Sequence, residues 1–414
     1  MNSQMRKKLK NQLKKGAKMY PKYDHYFSFY DIIHSILGLF MDCTKKLIKG
    51  IKRTYPTNII LLDSARSGLF LLLKSIDLKK DEKVAIPVHV CRVVYDTVKQ
   101  AGISVVGIDV DENLCLDVND LEKKIKKNKI KVIINVYSYG NIPNNKKIYM
   151  IAKKYGCYVI DDMAQCYSAI ENGKICGLDS YGSIISLDVT KYITSFGGGI
   201  LLVNNKSAYY QIKKQIAENK VKSKNLFKDL FGDIHKISQM IAFKFATIPL
   251  VYTLFVRQFI PYLRSKSFYR PKIKELSSVG KSIVFTQIKK INDIIKYRKM
   301  NAEYIQKLIS VKYKIHSNDS SMYLFLPISL KNTYNINTNN IRSDGRLFTK
   351  LCGKLTNIVD LPEPAEFLAE LKIKDGKDGE FPNAENMQKN LILIPTYKNI
   401  LRARKKIIQV LLNA

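Results

Sequence analysis

The sequence predicts an α/β fold with a mixed, mainly parallel β-sheet between layers of helices. Short β-branched runs alternate with amphipathic segments between about residues 56 and 205, and this pattern is typical of strands joined by crossover helices. The chain has 414 residues, of which 46% are hydrophobic, enough for one large domain and a smaller one. Because ligands of such sheets bind at the carboxyl ends of the strands, we expect the functional residues there.

The individual elements are predicted from the period of their apolar residues. The β-branched runs predict strands at 58–62, 83–86, 104–109, 131–136 and 157–160. Apolar residues at helical spacing predict helices at 69–76 and 146–155. Strands and helices that alternate in this way belong to a sheet covered by helices on both faces.

Composition divides the chain into four zones. We expect a basic N-terminal extension at 1–55, a large domain at 56–220, an apolar and basic helical insert at 221–269, and a small C-terminal domain with a long helix at 270–414.

The most apolar run lies at 240–256 and contains Lys244 and Pro249. It is shorter than the roughly 20 clean residues that a membrane span needs, so we do not expect it to cross a membrane. Two interpretations stay open for the insert. One is a helix pair lying on anionic lipid, and the other is a helical hairpin buried against the body or a dimer partner.

The charge of the chain is strongly positive, with 70 Lys and Arg against 35 Asp and Glu, a formal net charge of +35. Such a charge is compatible with nucleic acid, anionic lipid or an anionic substrate. Lys, Ile, Asn and Tyr are abundant and Trp is absent, as expected when an AT-rich genome biases codon choice. Because no zinc-finger, RNP or helix-turn-helix signature accompanies the charge, we expect no nucleic-acid role.

The seven cysteines are scattered and form no CxxC pair, which indicates a reducing compartment and gives no sign of a metal site. The N-terminus is basic but lacks the apolar segment and the small-residue cleavage site of a signal peptide. We therefore expect a cytoplasmic protein. Peripheral contact with the inner membrane surface is the alternative that the basic and apolar segments leave open.

Two short motifs carry chemistry. In the first, Asp161 and Asp162 end a predicted strand and Gln165 follows; a carboxylate in this position can pair with a cationic ring nitrogen. In the second, Ser186 ends a β run and Lys191 follows in a loop. Taken alone, a lysine in so basic a chain is usually a solvated side chain.

A Gly-Gly-Gly sequence at 197–199 follows that loop and precedes another strand. Glycines in such a place can simply form a turn. In combination, however, the acidic pair, the Ser-x-x-x-x-Lys spacing and the glycines resemble the core of the DegT/DnrJ/StrS family of sugar aminotransferases.

Further segments extend the resemblance over about residues 56–214 and 270–414, in order. They are SARSGLFLLLKSI, KVAIPVHVCRVVYDTVKQAGISVVGIDVDE, VYSYGNIPN, SSVGKSIVFTQIKKINDIIKYRKMNAEYIQKL and FPNAENMQKNLILIPTYKNI. The resemblance implies the fold type I of transferases that depend on pyridoxal 5'-phosphate, with a smaller C-terminal α/β domain.

The resemblance also implies roles for three residues. Lys191 matches the lysine that binds the cofactor covalently and moves the proton during catalysis. Asp162 matches the partner of the cofactor's pyridine nitrogen, and Gln165 matches the residue that binds its phenolic oxygen. Asp161 is not included in the site, because a second acid can simply cap a turn.

For the cofactor's phosphate, the resemblance implies Ser186 together with Ala65, Arg66 and Ser67 at a helix start. The free N–H groups of a helix N-terminus favour such an anion.

Two positions depart from the family pattern. Cys91 stands where the family has a flat side chain over the cofactor ring, and a thiol cannot stack; His89 is the alternative for this contact. The family's Asn-x-Arg, which reaches the phosphate of a neighbouring subunit, is replaced by KIKEL at 272–276. Lys274 and Arg270 are the two basic residues nearby that could supply the charge, and neither aligns with the family's motif.

The resemblance implies transfer of an amino group, with glutamate as donor, to a nucleotide-activated keto-sugar in cell-surface polysaccharide or secondary-metabolite sugar biosynthesis. It also implies a homodimer, since family sites lie between subunits. Two alternatives are weighed. Relatives with His in place of the lysine dehydrate the sugar, and Lys191 argues against this. A catalytically idle relative would bind a membrane or a glycosyltransferase through the N-terminus and the insert.

Overall fold

A seven-stranded sheet is the centre of the computed structural model of this protein. The structure describes residues 20, 21, 24, 27–222, 226–252, 273–330, 354–356, 358–359 and 381–413. Up to the end of the large sheet the elements are α1 (Phe29–Leu37), α2 (Thr44–Lys52), β1 (Asn58–Leu62), α3 (Ala65–Lys74), β2 (Lys83–Pro87), α4 (Arg92–Gln100), β3 (Ser104–Ile108), α5 (Val118–Lys127), β4 (Ile130–Val136), α6 (Asn145–Tyr155), β5 (Tyr158–Asp162), β6 (Ile170–Glu171), β7 (Lys174–Ile175), β8 (Gly182–Ser186) and β9 (Gly199–Val203).

The remaining described elements belong mostly to the C-terminal part. They are α7 (Lys206–Lys222), α8 (Leu226–Ala246), α9 (Pro249–Val251), α10 (Ser278–Ile288), α11 (Ile291–Ile309), β10 (Tyr313–Ile315), β11 (Phe325–Leu330), α12 (Pro382–Asn390), β12 (Ile392–Pro395) and α13 (Arg404–Leu412).

The strands of the large sheet run in the order β1-β9-β8-β5-β4-β2-β3. Neighbours from β8 to β3 pair in parallel, whereas β9 pairs antiparallel with both β8 and β1. The prediction of a mixed, mainly parallel sheet is therefore confirmed. Since β9 alone is reversed within this sheet, it begins at the edge where β1, β5 and β8 end.

The predicted strands agree closely with the observed ones, because buried β-branched runs leave few alternatives to a strand. The predicted helix at 69–76 begins earlier, at Ala65, because the Ser64 side chain accepts a hydrogen bond from the Ser67 N–H and caps it. The helix α6 ends at Gly156, which adopts the left-handed conformation with φ 64°.

A second, three-stranded antiparallel sheet in the order β10-β11-β12 packs with α11 and α13 around its own buried cluster. The long helix expected in this region is two helices, α10 and α11. The chain turns between them, where the Lys290 N–H bonds to the Gln287 carbonyl (2.9 Å), and the Lys290 ammonium pairs with Asp31 on α1 (2.6 Å). The predicted boundaries between the four zones remain predictions.

The helices of the predicted N-terminal extension pack against the rest of the protein. Leu47 and Ile51 on α2 are fully buried, and Ser282 on α10 donates a hydrogen bond to the His34 carbonyl on α1 (2.6 Å). Residues 1–19 lie outside the described part of the chain.

In the predicted insert, α8 buries Ile237 and Met240 against α10. Its other face leaves large apolar side chains exposed, namely Leu230, Phe231, Ile234, Ile241 and Phe245. The apolar run at 240–256 is interrupted after Ala246, and 253–272 lie outside the described residues. Within the described ranges, every helix is too short or too polar to cross a membrane.

The C-terminal FPNAEN segment docks on the end of β3 through Asp109. The buried Asp109 carboxylate accepts hydrogen bonds from the N–H groups of Asn383 (3.1 Å) and Ala384 (3.0 Å) in the first turn of α12, and from Val110 (2.8 Å). The Asn383 side chain returns a hydrogen bond to the Val110 carbonyl (2.8 Å). Burial raises the pKa of Asp109, and the helix N-terminus favours its negative charge.

We expect Asp109→Asn to lower the free energy of unfolding by about 1–3 kcal/mol, because an amide NH2 would face backbone donors and leave one buried and unpaired. Urea unfolding measures this. Asp96→Asn is the matched control: its carboxylate pairs with Arg92 at the surface (3.1 Å), and its loss should change stability by less than about 0.5 kcal/mol. Equal midpoints for the two variants would contradict the docking role of Asp109.

Candidate active site

A cavity of about 580 Å³ lies at the carboxyl edge of the large sheet. It collects residues that follow β1, β2, β4, β5 and β8, as the topology requires. Apart from Ser67, all predicted site residues line it: Ala65, Arg66, Cys91, Asp162, Gln165, Ser186 and Lys191. The structure brings these residues together, while their individual roles remain predictions.

Asp162 provides a buried carboxylate in the cavity wall. It is 4% exposed, and its Oδ1 accepts a hydrogen bond from the Ala164 N–H (3.0 Å). Burial raises its pKa, and the positive charge of Lys191 lowers it in part. Such a carboxylate is suited to pairing with a cation that enters the cavity.

Asp161 faces the opposite side of the sheet, because successive side chains alternate along a strand. Its carboxylate accepts hydrogen bonds from the Asn135 amide (2.8 Å) and the Tyr149 hydroxyl (2.7 Å), and it is absent from the cavity lining. Burial raises its pKa to about 6. Its surroundings give Asp161 a structural role behind β5.

The amide orientation of Gln165 is fixed by a backbone contact. Its Oε1 accepts a hydrogen bond from the Tyr139 N–H (2.7 Å), and an N–H group requires an acceptor. The amide nitrogen is therefore the group that Gln165 offers to a ligand in the cavity. A donor in this position is suited to a phenolate or another anionic oxygen.

The loop that carries Lys191 is anchored from α10. The Gln287 side chain is buried; it accepts a hydrogen bond from the Thr194 N–H (3.0 Å) and donates one to the Thr194 carbonyl (2.5 Å). Beside Lys191, the Tyr192 ring lies 5.1 Å from the Arg298 guanidinium carbon. Gln287 was not assigned to the site from the sequence, although it lies within the quoted segment that resembles the family.

The three glycines at 197–199 form a turn and allow the start of β9 to approach the start of α3 closely. Gly197 and Gly198 have φ values of 103° and 142°, which L side chains rarely adopt. A Cβ on Gly199 would lie 2.5 Å from the backbone nitrogen of Ala65. The start of β9 thus lies against the start of α3, and their backbones form one concave wall with Ser186.

Ser67 lies behind this wall. Its side chain is fully buried, with its hydroxyl 2.8 Å from the Ser64 hydroxyl and donating to Asp63 (2.8 Å). The structure therefore gives Ser67 a part in capping α3, and Ser64 takes its place in the lining.

His89 and Cys91 form the wall after β2. His89 is fully buried, and its Nε2 lies 3.0 Å from the Tyr139 hydroxyl. Its Nδ1 has no hydrogen-bond partner within the described residues. Burial lowers its pKa to about 4, so the ring is neutral at pH 7. Cys91 is exposed at the first turn of α4.

Lys236 also lines the cavity, although the sequence placed it in the insert. It reaches the cavity from α8, and nothing in the local sequence pattern distinguishes it from the other lysines there. Within the described ranges, no three His, Cys, Asp or Glu side chains are grouped so that they could hold a metal ion.

The described fold is that of known sugar-modifying enzymes. Helicobacter pylori PseC, an aminotransferase involved in the biosynthesis of pseudoaminic acid, superposes with a TM-score of 0.73 at 13% identity, over 96% of this chain and 99% of that one. Escherichia coli GDP-4-keto-6-deoxy-D-mannose-3-dehydratase with bound hydrated pyridoxal phosphate gives 0.71 at 18% identity, over 95% and 99%. This similarity confirms fold type I.

The sequence itself is similar to GDP-perosamine synthase of Escherichia coli O157:H7, at 29% identity over 143 residues. That match covers 34% of this chain and 39% of the relative's length. Residues 56–244 match the model of the DegT/DnrJ/EryC1/StrS aminotransferase family. This region, which holds Asp162, Gln165, Ser186 and Lys191, is therefore similar to the DegT/DnrJ/EryC1/StrS aminotransferase family.

Proposed function

We propose that this protein is a pyridoxal-phosphate-dependent aminotransferase that transfers an amino group from glutamate to a nucleotide-activated keto-sugar. One observation carries the proposal: Lys191 and the buried carboxylate of Asp162 line the same cavity, close enough for their charges to interact. In the family whose model residues 56–244 match, this pair of residue types holds the two ends of the cofactor's conjugated system.

The donors and acceptors of the cavity fit this cofactor. The buried Asp162 carboxylate suits a protonated ring nitrogen, and the amide nitrogen of Gln165 suits the phenolic oxygen. The N-terminus of α3 and the backbone of 197–199 suit a phosphate. His89 adds a buried nitrogen without a hydrogen-bond partner among the described residues, a common sign that a polar ligand completes a site.

When bound, pyridoxal phosphate supplies an electron sink for the bonds at the amino-bearing carbon. The residues of the chain would bind the cofactor and move the proton. The Lys191 amine would hold the cofactor in the resting enzyme and would carry the proton that leaves the amino-bearing carbon. Asp162 would keep the ring nitrogen protonated. Gln287 keeps the Lys191 loop in place through both backbone groups of Thr194.

The substrate class is supported by the relatives. GDP-perosamine synthase is named for a nucleotide-linked amino sugar, and PseC is described as an aminotransferase involved in the biosynthesis of pseudoaminic acid. A dehydratase has the same fold, but this chain keeps lysine at 191, where the dehydrating relatives have histidine. Lys191 therefore favours amination. Glutamate as donor follows from the family resemblance.

A homodimer is part of the proposal, because sites of this family lie between subunits. The exposed apolar side chains of α8 supply a surface that association could bury. Further ones lie on α1, including Phe29 and Ile33, and in the turn after it, where Phe40 is exposed. Isolated apolar side chains are normal on a protein surface, whereas a group of this size marks an interaction site. The alternative of an idle, membrane-associated relative uses the same surface for lipid.

The first test concerns Lys191. Borohydride reduction of the cofactor-loaded protein should fix pyridoxal phosphate on the single peptide that contains Lys191. Lys191→Ala should lose this adduct and the visible absorbance of the bound cofactor. Its turnover with glutamate and a panel of nucleotide keto-sugars should fall by several orders of magnitude, while its unfolding midpoint changes little, because a half-buried loop lysine packs against few atoms. An adduct on another lysine would contradict the whole site.

The second test concerns Asp162. Asp162→Asn should still bind pyridoxal phosphate, but the proton transfer should slow by roughly two or more orders of magnitude, because the ring nitrogen loses the partner that keeps it protonated. Single-turnover spectra with glutamate measure this step. A normal rate in Asp162→Asn would exclude the assigned role.

Asp161→Asn is the matched control, since it alters the neighbouring acid on the other side of the sheet. It should leave the single-turnover rate unchanged and affect stability instead. Because folding raises the pKa of Asp161 from 3.8 to about 6, the wild type loses this group's contribution to stability as pH rises through that range. The variant lacks the titration, so its unfolding free energy should fall less than that of the wild type between about pH 4 and pH 7.

The third test concerns assembly. We expect a dimer in sedimentation at micromolar concentration, together with weak, salt-sensitive binding to anionic liposomes, since each Lys near such a surface gains on the order of 1 kcal/mol. A strictly monomeric protein that still turns over would exclude the dimer. Equal recovery with neutral and anionic liposomes at low salt would exclude the membrane contact.

A further inference from the structure

The ammonium of Lys236 lies beside the glycine loop of the cavity. Its Nζ donates hydrogen bonds to the carbonyls of Ser195 (3.0 Å) and Gly197 (3.1 Å). An ammonium has three N–H donors, so these two contacts leave one for a ligand. Gly280 leaves room for this arrangement, since a Cβ there would lie 3.3 Å from Nζ.

Lys236 lies close to the start of α3, because the carboxylate of Asp63, the residue before the helix cap Ser64, acts on its pKa. The lining of the cavity includes Lys236 together with Ser64, Ala65, Gly197 and Gly198. Three Lys and Arg side chains belong to the lining, namely Arg66, Lys191 and Lys236. Because Lys191 is engaged with the ring end of the cofactor in the proposed function, Lys236 and Arg66 are the cations of the described cavity that a phosphate can meet.

The surroundings of Lys236 favour an anion beside it. Burial lowers its pKa to about 8, and the carboxylates of Asp233 and Asp63 raise it only in part. A buried ammonium is costly unless its charge is compensated. A phosphate within hydrogen-bond distance would supply that compensation, and the ammonium would return a charge-assisted hydrogen bond.

Lys274, which the sequence had offered for the phosphate, is engaged elsewhere. Its ammonium pairs with Asp229 on α8, and it is absent from the lining of the cavity. Arg270 lies outside the described residues. Within one described subunit, the basic residue that the insert contributes to the cavity is therefore Lys236.

We propose that Lys236 binds the phosphate of the cofactor within the same subunit, so that the helical insert completes the cofactor site. This inference rests on the proposed function, because it assumes that pyridoxal phosphate is the ligand. The competing explanation is structural: Lys236 could act only as a clamp that holds the loop at 195–197 against α8.

The two explanations differ in how they treat a cofactor without phosphate. We expect Lys236→Met, which keeps the length and apolar packing of the side chain, to weaken the binding of pyridoxal phosphate by roughly 10- to 100-fold, the range for a lost hydrogen bond to a charged group. Binding of pyridoxal, which has no phosphate, should change by less than about threefold, since it never made that contact. Absorbance titration of the apo-protein with each compound measures both affinities.

Lys244→Met is the matched control on the same helix. The Lys244 ammonium donates to the Phe27 carbonyl (3.0 Å) and is absent from the cavity lining, so this variant should leave both affinities unchanged. Lys236→Arg keeps the charge and should retain most of the preference for the phosphorylated compound. If Lys236→Met does not fold, Lys236→Arg still tests the proposal. Loss of the preference for pyridoxal phosphate over pyridoxal in a folded Lys236→Arg would count against a phosphate contact.

Equal losses for pyridoxal phosphate and pyridoxal in Lys236→Met would overturn the inference and leave Lys236 as a loop clamp. That outcome is distinct from failure of the proposed function. If the wild type itself bound no pyridoxal phosphate and formed no adduct on Lys191, the function would be wrong. If the wild type formed the adduct and Lys236→Met kept the wild-type preference for pyridoxal phosphate over pyridoxal, the inference alone would fail.

Discussion

The close approach between the start of β9 and the start of α3 is the contact on which the cavity depends. A side chain at Gly199 would overlap the backbone of Ser64 and Ala65. This contact exists because β9 runs antiparallel between β1 and β8, which returns the chain to the carboxyl edge of the sheet. The loop that carries Lys191 is thereby confined between two strand ends and a helix N-terminus.

The second support of the cavity comes from distant parts of the chain. Gln287 on α10 binds both backbone groups of Thr194, 93 residues away in sequence. Arg298 on α11 packs on Tyr192 and donates hydrogen bonds to Leu324 and Thr396. The position of Lys191 is therefore coupled to the packing of the C-terminal part. Damage to that packing would displace the lysine without removing any group that touches a ligand.

Much of this organisation could be predicted from the sequence, for physical reasons. Buried strands require continuous β-branched runs, so β1 to β5 could be located to within two residues. Asp162, Gln165 and Lys191 could be selected because their spacing matches a family whose chemistry requires those residue types.

Lys236 could not be selected from the sequence, since a lysine on an amphipathic helix is ordinarily solvated. Only the packing of α8 on α10 brings it to the cavity. The break between α10 and α11 was missed because no Pro or Gly marks the turn at residues 289–290. The predicted domain boundaries and the assigned roles of the site residues remain to be tested.

If Lys236 binds the cofactor's phosphate in the proposed homodimer, its position on α8 has a consequence for the order of cofactor binding and subunit association. If a phosphate-binding cation had to come from a second copy, cofactor affinity would follow mass action in protein concentration and would vanish for an isolated newly made chain. A cation supplied by the same polypeptide removes that dependence. The cofactor could then bind each chain as soon as α8 packs on α10, and subunits would meet already loaded. Cofactor capture and subunit association would become separate steps, with the insert as the element that separates them.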